Sequence, residues 1–313
     1  MTSHTPAACA DPAAFHADVS SSRAASAPGV WQIVAAGVAF SLLWTSAFVA
    51  GKVGLAHAGA LSLLAVRFLL AGLLLGGLCR LLGQKLQLQH GWLHVLLPGL
   101  LSHGIYLGLA FTGMRSTPAG LTTLLVSTTP LLTAALAVPL LGEAASVRKF
   151  VGLLLGLLGV GIVVSQRAKL AMPDGFGLSC IALGTVVLSF GNILMKRVTQ
   201  HDLLPVIGAQ LFASGLLLLP FAWSLEGMRL QWAWPLLASL GYLAIVVSIG
   251  ASLLWIWLLK HGAASSASSF HLLNPLFGAL LASTFLAEPL YLSDALGALP
   301  IVAGIALVYL KRA

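Results

Sequence analysis

The chain has 313 residues, of which 59% are hydrophobic and only 8% charged. A soluble domain carries about 25% charged residues, so a water-facing surface of this size is excluded, and with it a typical soluble enzyme, a nucleic-acid module and a disordered tail protein. Lys and Arg total 16 against 8 Asp and Glu, a net charge of +8. Most of these cations lie between apolar runs or at their ends, where membrane topology accounts for them without a nucleic-acid partner. The lipid bilayer is the expected surrounding. Cys9, Cys79 and Cys180 show no paired spacing, so neither a disulfide framework nor a cysteine metal site is expected.

Residues 1–29, rich in Ala, Ser and Pro, read as a flexible cytoplasmic tail; they lack the apolar and basic regions of a signal peptide. Ten apolar runs follow, near 31–50, 60–82, 92–112, 118–141, 150–165, 176–195, 203–225, 234–259, 263–286 and 292–310. Leu-rich runs of this length are helices, because a barrel needs alternating segments of about ten residues. The fold class is therefore an all-α polytopic membrane protein with ten transmembrane helices. With the N-terminus inside, ten of the 16 cations fall inside (Arg23, Arg80, Lys85, Arg148, Lys149, Lys196, Arg197, Lys260, Lys311 and Arg312). Five fall outside (Lys52, Arg115, Arg167, Lys169 and Arg229), and Arg67 lies within a span. This bias places both termini in the cytoplasm.

The first run carries Trp44 and Ser46, candidate cavity residues. Arg67 lies about seven residues into the second, where a charge is costly and usually faces a cavity or a partner. It reads either as a handle for an anion such as a carboxylate or as a cation snorkelling to the interface. His103 and Tyr106 lie a turn apart in the third run. In the fourth, Thr122, Thr123, Ser127, Thr128, Thr129 and Thr133 can line a polar path or bond back to their own helix. Asn192 in the sixth run corresponds to Ser46 if a one-residue shift is allowed. Trp255 and Trp257 in the eighth form either a stacking wall or an interface anchor. His271 and Asn274 precede Pro275, which frees a backbone carbonyl that polar side chains can satisfy. Either His can titrate near neutrality or pack as a neutral, hydrogen-bonded ring. Glu143 and Glu288 lie at helix ends, as caps or ion-pair partners, and no Asp or Glu falls deep in a span. Carboxylate proton relays and Asp-bound sodium sites are therefore unsupported; facilitated diffusion, exchange or His-assisted proton antiport remain.

The two halves resemble each other. Pro130, Leu131, Glu143, Gly152 and Gly159 match Pro275, Leu276, Glu288, Gly297 and Gly304 at a constant offset of 145, which Arg115 and Lys260 also obey. Duplication explains a gap-free series of this kind. Residues 30–170 then form the first repeat and 171–313 the second. Five helices per repeat is an odd number, so the second copy is inverted. Inverted repeats are an architecture of secondary transporters, with the substrate site near the midplane between the halves.

The segments Trp44-Thr45-Ser46-Ala47-Phe48-Val49-Ala50-Gly51-Lys52, Arg67-Phe68-Leu69-Leu70-Ala71-Gly72, and Ser127-Thr128-Thr129-Pro130-Leu131 with Leu141-Gly142-Glu143 carry a further resemblance. Together with Asn274-Pro275-Leu276 and Ala287-Glu288, they resemble the motifs of the EamA family of the drug/metabolite transporter superfamily, over about residues 30–310. The second half departs from the pattern in Ala287-Glu288 and in lacking a Trp equivalent to Trp44. The resemblance implies ten helices in two inverted five-helix repeats and a role in moving small metabolites, with export as the commoner direction.

The expected function is a secondary transporter of the inner membrane that exports small metabolites such as amino acids. The alternative is a multidrug-type efflux carrier of amphipathic compounds. A membrane sensor would carry a soluble domain, and an intramembrane enzyme would show an HExxH, a GxSxG or a pair of intramembrane Asp residues. The sequence shows none of these, so no catalytic residue, cofactor or metal is expected. The spacings Gly72/Gly76, Gly104/Gly108 and Gly152/Gly156 permit close helix approach. Internal packing is the first expectation for them and a homodimer the second.

Overall fold

In a computed structural model of the chain, the described residues are 28–86, 91–114, 116–117, 119–144, 146–165, 174–199, 202–286 and 289–309. The tail, Arg115 and Glu288 lie outside them. Among the described residues the structure is helical, with one isolated bridge between Ala58 and Leu230. Helices are what the hydrocarbon phase demands, since each backbone N–H and C=O must be satisfied within its own segment.

Five segments form the first repeat: α1 (Val30–Leu55), α2 (Ala60–Leu81), α3 (92–113), α4 (119–141) and α5 (Val147–Ser165). Five form the second: α6 (Gly175–Val198), α7 (Leu203–Glu226), α8 (234–261), α9 (264–286) and α10 (Leu292–Tyr309). Among the described residues, nine of these are long and apolar enough to cross a bilayer, α4 through its 124–141 part. The tenth, α9, is broken into short pieces. The apolar exterior that lipid requires is present, with Leu73, Leu154, Leu158, Phe221 and Val302 all exposed.

The irregularities are duplicated along with the helices. α4 is interrupted between Ala119–Val126 and Thr129–Leu141, and α9 passes through a 3-10 turn, Ser269–Leu273, before Asn274–Leu286. In both, the second piece begins just before a proline, Pro130 or Pro275, whose missing N–H cannot continue the ladder. Both α3 and α8 contain a wide π-helical stretch, Leu100–Ile105 and Leu243–Ala251. At an offset of 145 these boundaries coincide to within a few residues, so the duplication read from the sequence extends to backbone geometry.

Equivalent helices also pair with each other. The strongest packing joins α2 to α7 and α5 to α10, while α3 packs on α6 as α8 packs on α1. On α5 and α10 the contact is backbone on backbone: a Cβ at Gly159 would lie 2.6 Å from the Gly297 carbonyl, and a Cβ at Gly297 would lie 2.6 Å from the Gly159 carbonyl. Gly152 meets Gly304 in the same way. The early glycine of each helix meets the late glycine of the other, so the two run antiparallel. A two-fold relation between antiparallel spanning helices places its axis in the membrane plane, which is the geometry of inverted repeats. Gly72, Gly104 and Gly108 all face α7, at Phe212, Leu217 and Leu218. Gly156 likewise meets Leu272 on α9, so these glycines serve internal packing, whereas Gly76 faces open space.

Candidate functional site

The membrane face at which α1 begins is here the N-face, and the other the opposite face. A cavity of about 290 Å³ lies between the repeats in the opposite-face half of the bundle. Its wall near mid-membrane includes Trp44, Arg67, Tyr106, Ser127, Asn274 and Pro275. Toward the opposite face it is lined by Lys52, Leu55 and Met114. Most of the wall is apolar or aromatic, as in small-molecule sites generally.

Arg67 is the charged group nearest the middle. Its residue surface is only 5% exposed, so the snorkelling alternative does not describe this geometry. The guanidinium is held from two sides: Nε donates to Ser248 Oγ on α8 at 2.7 Å, and Cζ lies 5.1 Å from the Phe68 ring centroid. Among the described residues no carboxylate pairs with it. A planar guanidinium fixed at Nε keeps the donor geometry for a carboxylate ligand.

Asn274 is positioned by the break in α9. The Asn274 N–H bonds to the His271 carbonyl, as in a 3-10 turn, which leaves the Phe270 carbonyl for Ser41 Oγ at 2.7 Å. Asn274 Oδ1 accepts from Thr45 Oγ1 at 3.3 Å, which turns its Nδ2 toward His271 Nδ1 at 3.2 Å. His271 therefore accepts at Nδ1 and carries its proton on Nε2.

Of the residues singled out from the sequence, the cavity gathers Trp44, Arg67, Tyr106 and Asn274, together with Thr122 and Ser127 of the hydroxyl-rich fourth run. Six others lie away from it. Ser46 donates to the Leu43 carbonyl of its own helix and accepts from Tyr242 Oη on α8. Thr128 donates to the Leu125 carbonyl of its own helix at 2.6 Å. His103 is buried with Nε2 3.4 Å from Ser252 Oγ and its ring edge-on to Phe68. Asn192 is buried on α6, and the observed offset pairs it with Ala47 rather than Ser46. Trp255 stacks on Phe40 at 5.0 Å, and His271 packs edge-on to Phe40 at 5.2 Å, on the N-face side of Trp44. Sequence reasoning missed Ser248 and Thr45, the partners that hold Arg67 and Asn274. Ser248 had a signal, as the one polar residue in the apolar stretch 243–251.

Both halves of the chain, residues 31–165 and 175–310, match the model of the EamA-like transporter family. The chain belongs to that family. It is 32% identical over 279 residues to the uncharacterized transporter YvbV of Bacillus subtilis, covering 86% of this chain and 89% of that protein. It is 28% identical to the uncharacterized inner membrane transporter YedA of Escherichia coli K12, covering 88% and 89%. Protein PecM of Dickeya dadantii is 30% identical over 229 residues, covering 72% and 74%. A solved structure superposes with a TM-score of 0.76 at 20% identity, covering 88% of this chain and 96% of that one, which shows a shared fold. This EamA chain is thus a multi-pass membrane protein of a transporter family.

In this EamA chain the N-face half is closed. Phe40, Trp255 and His271 fill its centre, and a polar cluster closes it nearer the surface. Glu143, after α4, accepts from the Ala264 N–H at 2.6 Å and from Ser265 Oγ, at the start of α9. Lys149 Nζ donates to Ser265 Oγ at 2.7 Å and lies 3.5 Å from Glu143. Lys196 reaches the Leu259 and Gly262 carbonyls at the end of α8. The Glu143 and Lys149 bonds join the first repeat to the second across the N-face, whereas those of Lys196 tie α6 to α8 within the second repeat. Glu143 thus combines the capping and ion-pairing roles expected of it.

Proposed function

We propose that this protein is a secondary transporter of the inner membrane that exports small metabolites by alternating access between its inverted repeats, with both termini in the cytoplasm. In that orientation the observed state is open outward and closed inward. The observation that carries the reading is the cavity between the repeats with Arg67 in its wall and, among the described residues, no carboxylate paired with it. Metabolites with a carboxylate, amino acids among them, suit such a wall. The relatives' names as transporters support the coarse class and the absence of an enzymatic role. A multidrug-type carrier is the second reading, favoured by the apolar and aromatic remainder of the wall.

The test is efflux from proteoliposomes loaded with a mixed pool of amino acids, other carboxylates and neutral amphipathic compounds, quantified by mass spectrometry with and without a pH gradient. Arg67→Gln removes a charge-assisted contact worth about 1.5–3 kcal/mol, so efflux of carboxylate cargo should fall by about tenfold or more. Arg67→Lys should recover part of it, and neutral cargo should be unaffected. Equal carboxylate efflux by wild type and Arg67→Gln would remove Arg67 from the site. Selective efflux of neutral amphipathic compounds by the wild type would favour the multidrug reading.

A further inference from the structure

The cavity seen at the opposite face is one half of a symmetric object, and the symmetry says where the other half lies. Because the boundaries of the two repeats coincide at an offset of 145, each cavity-lining residue has an image in the other repeat. The image of Ala47 is Asn192, that of Gly278 is Thr133 and that of Val247 is Ser102. Val126 maps to His271, Ala110 to Trp255 and Leu107 to Ser252. All six images are buried, on the N-face side of the cavity.

A second observation, independent of the repeat, marks the same places. Asn192 Nδ2, Thr133 Oγ1 and Ser102 Oγ are buried polar atoms with no hydrogen-bond partner among the described residues. Buried polar atoms are nearly always paired, and each exception needs a reason. Ser102 lies so close to Gly191, the neighbour of Asn192, that a Cβ there would clash with its hydroxyl. Three donors on three helices thus stand unpaired where the image of an open cavity falls.

We infer that Ser102, Thr133 and Asn192 line a second, N-face cavity that opens when the repeats exchange their arrangements. They are unpaired in the observed state because water or cargo serves them in the other. This inference rests on the transport reading and extends it. It also gives Asn192, Trp255 and His271 a place on the pathway, although none of them touches the cavity now open. The N-face half is the more hydrogen-bonding of the two: hydroxyls and an amide stand where the open half presents Val247, Gly278 and Ala47. It therefore suits a polar, hydroxyl- or carboxylate-bearing cargo at the stage when the opposite face is shut.

The test is thiol accessibility in the full-length protein with its native cysteines changed to serine. Ser102→Cys, Thr133→Cys and Asn192→Cys are compared with Ile301→Cys, a fully buried position facing Gly159. Gly278→Cys reports the cavity already open. A membrane-impermeant maleimide is added from each face of oriented vesicles, and a protease site in the tail identifies the N-face. The three image positions should label from the N-face about tenfold faster than Ile301→Cys, since an exposed thiolate is the reactive species. Gly278→Cys should label from the opposite face. No excess over Ile301→Cys, or labelling from the opposite face, overturns the inference. Hydrogen–deuterium exchange of the unsubstituted protein covers the case of variants that do not fold. Segments 100–105 and 189–196 must then exchange faster than 297–304, and slower exchange overturns the inference. N-face labelling without flux of any cargo would leave the second cavity standing and remove transport; flux without labelling would do the reverse.

Discussion

α5 with α10 and α4 with α9 are two pairs of duplicated helices that the fold treats differently. α5 and α10 are continuous and meet through glycines, carbonyl against Cα, at two symmetric crossings. α4 and α9 are each broken ahead of an equivalent proline, and their freed backbone groups are taken by side chains such as Ser41. A backbone-on-backbone contact has one arrangement that fits. A broken helix held by hydroxyl and amide side chains can exchange partners at little cost. The cavity wall draws Ser127, Asn274, Pro275 and Gly278 from the broken pair and only Val163 and Val164 from the continuous one.

The sharpest way to break this contrast is at the glycine crossing. Gly297→Leu puts a branched side chain where even a Cβ meets the Gly159 carbonyl at 2.6 Å and the Val163 amide nitrogen at 3.0 Å. Overpacking costs about 1–3 kcal/mol when neighbouring side chains can move and more when they cannot, and backbone cannot. Loss of monodisperse protein is expected on size-exclusion chromatography. Gly76→Leu, with open space around Gly76, should run as wild type. Equal behaviour of the two variants would show that the α5–α10 crossing is not fixed as described.

Pro275→Ala acts on the other pair and is expected to leave folding intact. The new N–H can bond the His271 carbonyl, so the 3-10 turn relaxes toward α-helix and moves Asn274 off Thr45 and His271. Efflux should fall by roughly tenfold through loss of a conformational step, while the thermal midpoint holds or rises. Unchanged efflux would mean that the break in α9 is structural only.

Much of this was legible from the residues alone. Apolar runs gave the spans, because lipid permits little else, and Pro130/Pro275 with Gly152/Gly297 and Gly159/Gly304 gave the repeat. Arg67, Trp44, Tyr106 and Asn274 were findable because a polar or aromatic group inside a Leu-rich run is conspicuous. The rotation of each side chain about its helix was not legible. Ser46 and Trp44 sit two residues apart, yet one faces Tyr242 and the other the cavity. The wide turns in α3 and α8 shift the phase of everything beyond them, which a 3.6-residue period cannot anticipate. Ser248 stands out in its apolar stretch, but its contact with Arg67 was not legible for that reason.

The smallest expected effect concerns the first residues of the two repeats, which also diverged. α6 is capped by Asp174, whose carboxylate accepts from the Gly177 N–H at 3.2 Å, the Phe176 N–H at 3.3 Å and Ser116 Oγ at 3.0 Å. Its image at the start of α1 is Gly29, which offers no side chain, and Gln32 reaches back to the Gly29 N–H instead. The Ser116 hydroxyl, then the Gly177 and Phe176 N–H groups, hold the Asp174 carboxyl below its usual range. A depressed carboxyl stabilises the fold above its unfolded pKa, about 3.9, and this contribution is lost as pH falls through the lower folded value. Asp174→Ala should therefore lower the thermal midpoint slightly at pH 7 and make no difference at a pH below both values. Asp174→Asn keeps a good capping oxygen and should fall between Ala and wild type at pH 7. The cap also ties α3 to α6, the pair whose image is α8 on α1. A larger loss for Asp174→Ala than for Gln32→Ala would show that the second repeat depends on its cap where the first depends on packing. Equal losses would mean that neither helix start matters beyond its own first turn.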